Sequence, residues 1–102
     1  MTLHAKYEIE HGPIRKIDYM NGGERDSVRI ILKDSESIPT VREALNSLRI
    51  EFMFASENGM DFFEIQKPEM AGFARNLKKI GLVTSEEMLE IQRDFLKIRG
   101  KF

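Results

Sequence analysis

The hydrophobic positions of this chain change period along its length, and those changes predict its elements. Leu3, Ala5, Tyr7 and Ile9 alternate with His4, Lys6, Glu8 and Glu10, the two-residue period of a half-buried strand. Gly12-Pro13 breaks that run, and a second strand with weaker alternation is expected from Ile14 to Met20. Asn21-Gly22-Gly23 supplies residues that accept a positive φ, as a hairpin loop requires. The return strand is Val28 to Lys33, whose β-branched Val28, Ile30 and Ile31 suit a sheet.

After the polar link 34–37 the period lengthens. Pro39 fits the first turn of a helix, where its missing N–H leaves no bond unmade, and Val41, Ala44, Leu45 and Leu48 follow at helical spacing. Strands are expected again at Ile50–Ala55 and Met60–Gln66, joined through Asn58-Gly59, the strongest short hairpin signal in the chain. Pro68 opens a second helix with Met70, Phe73, Ala74, Leu77 and Ile80 on one side, stopped by Gly81. Thr84 and Glu87 have the spacing of a capping box, so a third helix runs to about Ile98.

The predicted order is β-β-β-α-β-β-α-α. It implies one α+β domain over residues 1–102, a two-layer sandwich of a mostly antiparallel sheet with helices on one face. A hairpin followed by a proline-opened helix occurs twice, which either marks an internal duplication or reuses the same turn chemistry.

Counting outward from Asn58-Gly59 fixes a register: Glu57 opposite Met60, Ala55 opposite Phe62, Phe54 opposite Phe63, Met53 opposite Glu64. One face of the hairpin then carries Ile50, Phe52, Phe54, Phe63 and Ile65, a core face. The other mixes Met53, Ala55, Met60 and Phe62 with Glu51, Glu57 and Glu64. Apolar groups rimmed by charge are where a protein meets a partner, unless the N-terminal strand, a loop or the third helix folds over them. In the third helix Met88, Leu89, Ile91, Phe95, Leu96 and Ile98 cover more of the circumference than a surface helix usually buries, so Phe95 is either core or contact.

Composition narrows the chemistry. With 41% hydrophobic and 32% charged residues in 102, the chain is a globular protein with enough length for one core. It has no cysteine, which removes disulfides, thiolate zinc sites and thiol nucleophiles, and suits a cytoplasmic location. No run approaches the roughly 18 apolar residues of a membrane span, and the first residues lack the apolar stretch of a signal peptide. His4 and Glu8 on one strand stand roughly 13 Å apart, too far to share an ion, and neither His4 nor His11 belongs to a ligand motif. No phosphate-binding loop or nucleophile elbow is present. No catalytic, metal or cofactor site is therefore assigned.

The formal net charge is −1, yet the last third is mildly basic. Lys97, Arg99 and Lys101 approach Lys67 at one end of an antiparallel helix pair, while Lys78 and Lys79 lie at the other. Three functions follow in order. The first is a non-catalytic binding or regulatory module that self-associates as a homodimer, or binds another protein, through Met53, Met60, Phe62 and Phe95. The second is a nucleic-acid accessory protein using Lys67, Lys97, Arg99 and Lys101. The third is a small-molecule enzyme.

Overall fold

The chain's computed structural model describes residues 3–22 and 24–99. Five strands form one antiparallel sheet: β1 (Leu3–Glu8), β2 (Ile14–Gly22), β3 (Arg25–Leu32), β4 (Met53–Glu57) and β5 (Met60–Gln66). Their spatial order is β1-β2-β3-β5-β4, so β3 and β5 form the centre while β1 and β4 are the edges. Three helices complete the fold: α1 (Ile38–Asn46), α2 (Met70–Lys79) and α3 (Ser85–Arg99). The order of elements is the one the hydrophobic periods predict.

One face of the sheet makes the core. Ile17 and Tyr19 of β2, Val28 and Ile30 of β3 and Phe63 of β5 are fully buried. They belong to one cluster with Val41 and Leu45 of α1, Phe73, Ala74 and Leu77 of α2, and Ile91 and Phe95 of α3. All three helices thus share one core with this face of the sheet. Met20, Ile31 and Phe62 alternate out of that cluster onto the opposite face, where they are nonetheless buried.

Local chemistry explains where elements stop. Asp34 accepts hydrogen bonds from the backbone N–H and the hydroxyl of Ser37, both at 3.0 Å, closing a 3₁₀ turn that leads into α1. Gly81, at φ +81°, ends α2: its N–H donates to Lys78 O at 3.0 Å, and the Leu82 N–H reaches back to Leu77 O at 2.9 Å. That pair of bonds is a Schellman motif, and it buries Leu82 against the helix it terminates. Glu87 N–H donates to Thr84 Oγ1 at 3.1 Å while the Glu87 carboxylate accepts from Thr84 N–H at 2.9 Å, the reciprocal capping box of α3.

Several boundaries differ from expectation, β3 for one beginning at Arg25 and not at Val28. β2 continues through Asn21 and Gly22, because the Asn21 amide donates to the Tyr19 hydroxyl at 2.9 Å and the hydroxyl in turn donates to Asp26 across the hairpin. β4 begins at Met53, not Ile50. Arg49 takes φ +57°, which redirects the chain, so Phe52 stands outside the strand yet packs edge-on to Phe63 at 5.4 Å. Helix α2 begins at Met70 with Glu69 as N-cap, two residues beyond Pro68.

Candidate functional site

The helix-free face of the sheet is organised in rows that run across the strands. One row reads Lys6, Asp18, Arg29, Glu64, Met53 from β1 to β4. Arg29 is its hub: Nε donates to Glu64 Oε1 at 2.6 Å, and a terminal nitrogen lies 3.5 Å from Glu57. The guanidinium also sits 4.5 Å over the Phe62 ring, a cation–π contact that shields the ring from water. Glu64 takes further contacts from Arg25 at 3.7 Å and from the Gln66 amide at 2.6 Å. These partners offset the cost of taking a carboxylate this buried out of water. On β2, His4 Nδ1 approaches Asp18 at 3.5 Å, while Asp18 Oδ1 and Ser27 Oγ are buried without a hydrogen-bond partner.

This geometry revises the expected contact surface. Phe62 is 4% exposed under Arg29, and Phe95 is fully buried with its ring 5.5 Å from Tyr19. Neither is presented to a partner by the folded chain. Glu64, expected as a rim charge, is an interior ion-pair member. Met60 is half-buried. Met53 keeps its predicted place, 57% exposed.

Among the described residues three large apolar side chains stay exposed: Leu89 alone on α3, and Met53 and Phe54 side by side on edge strand β4. Met53 points to the helix-free face, and its neighbour Phe54, 39% exposed, points to the helical side. Phe54 packs on Phe63 at 5.2 Å and lies 5.6 Å below the Arg42 guanidinium of α1, but nothing follows β4 in the sheet to cover its outer half. The hairpin that carries it is well anchored. Asn58 at φ +52° and Gly59 at φ +76° form the turn, Ser56 bonds Asp61 across the strands, and Glu57 is tied to Arg29. The exposure of Phe54 was hidden from sequence reasoning, since it lies on the hairpin's core face.

A cleft of about 580 Å³ lies between the end of β1 and the start of α3, lined by Tyr7, Glu8, Glu10, His11, Glu87 and Glu90. The Tyr7 hydroxyl donates to Glu90 at 2.5 Å. Burial first, then that hydrogen bond and the carboxylates of Glu90, Glu87 and Asp94, push the phenol well above its ordinary value. No group of three or more potential metal ligands converges among the described residues. Lys67 is exposed and held at φ +48°, its N–H bonded to Asp26 O at 2.6 Å. Lys97 is exposed near the end of α3; the Arg99 side chain and Lys101 lie outside the described residues. No helix among the described residues is long and apolar enough to cross a membrane. Comparison with protein families, with curated proteins and with solved structures finds no match to this chain.

Proposed function

We propose that the protein is a non-catalytic binding or regulatory module of the cytoplasm that works as a homodimer. The observation that carries this reading is the exposure of two adjacent large apolar residues, Met53 and Phe54, on opposite faces of one edge strand. Complete burial of such a side chain contributes about 1.5–3 kcal/mol, and a substantial part of that is still available to a partner at both positions. A strand with free backbone groups and apolar side chains on both faces is a template for another strand. The rest of the sheet does not compete: its helix-free face is largely neutralised by Arg29, Glu64 and their neighbours.

Sedimentation equilibrium over a range of protein concentrations tests this. A reversible monomer–dimer equilibrium is expected, and Met53→Lys should shift it to monomer while changing folding stability by no more than about 0.5 kcal/mol. A monomer at every concentration would remove the proposal.

A further inference from the structure

We propose that the second copy docks along β4 itself, antiparallel and centred on Ala55, so that two five-stranded sheets join into one continuous sheet. This rests on the self-association reading above and specifies its interface.

The hairpin fixes which backbone groups are free. Asn58-Gly59 is a two-residue turn closed by Glu57 and Met60, and such a closing pair exchanges both of its backbone hydrogen bonds. Alternation from there turns the N–H and C=O groups of Glu57, Ala55 and Met53 toward β5. Those of Ser56 and Phe54 face outward, at the open edge of the sheet.

A two-fold axis must set these outward groups against their own copies. Centred on Ala55, Phe54 lies opposite Ser56 of the second copy and Met53 opposite Glu57, giving four backbone hydrogen bonds across the junction. A one-residue shift would oppose outward groups to inward ones. Centring on Phe54 instead would set Ser56 against Phe52, which lies outside β4, leaving two backbone hydrogen bonds in place of four. Centring on Ser56 would run Phe54 against Asn58, which the turn holds at φ +52° and out of any strand. Strand length and backbone direction together leave the Ala55 register.

Side chains agree with that choice. The two Phe54 rings become diagonal neighbours on the helical side, within reach of each other. On the helix-free side the methylenes of Glu57 cover Met53 of the second copy, while the Glu57 carboxylate keeps its bond to Arg29. The interface is small, which makes the dimer reversible.

The absence of cysteine from the chain makes the register directly testable. Residue 55 would meet its own copy as a non-hydrogen-bonded pair, Cα atoms about 4.5 Å apart, inside the range a disulfide spans. Under mild oxidation Ala55→Cys should form a covalent dimer about tenfold or more faster than Ser56→Cys, whose thiols point elsewhere, or than Leu89→Cys on the exposed surface of α3. Ser56→Pro, which deletes an outward N–H at an edge position, should keep the circular-dichroism spectrum and weaken the dimer. Equal cross-linking of all three cysteine variants, with a wild-type dimer still seen in sedimentation, would overturn the β4 register and leave self-association standing. A wild-type monomer with no selective cross-link would overturn both.

Discussion

The sheet has two edges, and they are finished differently. β1 alternates cleanly: Ala5 and Tyr7 pack against the core while His4, Lys6 and Glu8 point to the other face. Helix α3 lies against this edge, and the Tyr7–Glu90 bond fastens the two. At β4 no further strand follows among the described residues, and no lysine or proline interrupts the strand. Proteins that must keep an edge free of other strands use charge, proline or a covering element. β1 has charge and a cover; β4 has one charge, Glu57 held by Arg29, beside exposed Met53 and Phe54. The contrast teaches that the two ends of the sheet are finished differently, which is why an interface is proposed at β4.

The largest effect that would break this contrast lies at the root of β4. Arg29→Ala should cost about 2–3 kcal/mol in chemical denaturation, because Glu64 stays buried with its strongest partner gone and Phe62 loses its cover. A loss below about 0.5 kcal/mol, the level of an ordinary surface change, would mean that the β4 end of the sheet is not held by that ion pair.

A smaller effect belongs to the β1 edge. Tyr7→Phe removes the bond to Glu90 and should cost about 1 kcal/mol at neutral pH. The phenol's folded value is raised above its ordinary 10.0, so its contribution is complete below that pH. It is lost as pH climbs from there through the folded value, since the unfolded chain releases the proton first. The stability gap between wild type and Tyr7→Phe should therefore narrow in strong alkali. A gap that widened instead would show that the neutral phenol is not what fastens β1 to α3.

Much of the fold was legible because short-range chemistry determines it. Asn58-Gly59 fixed every pair of the β4–β5 hairpin, since a two-residue turn permits one register and the side-chain period is two. Thr84 with Glu87, and Gly81 after α2, marked helix ends through bonds that involve only near neighbours. The site was less legible for a physical reason. Arg29 and Phe62 meet because β3 lies beside β5, a neighbour relation that no local pattern carries. Without it the sequence left open whether Phe62 faces a partner or is covered within the fold. Phe54 failed in the opposite direction: its hairpin face is the core face, yet the end of the sheet leaves part of the ring uncovered. Phe95 illustrates a third limit, for helical periodicity gives a stripe's width but not what lies against it, here Tyr19.

Amide hydrogen exchange followed as a function of protein concentration tests the central claim most directly, because it reads individual N–H groups at both edges in one sample. Edge pairing predicts that protection of Phe54 and Ser56 rises with concentration while protection along β1 stays constant. Concentration-independent exchange at Phe54 and Ser56, or a rise confined to β1, would contradict it.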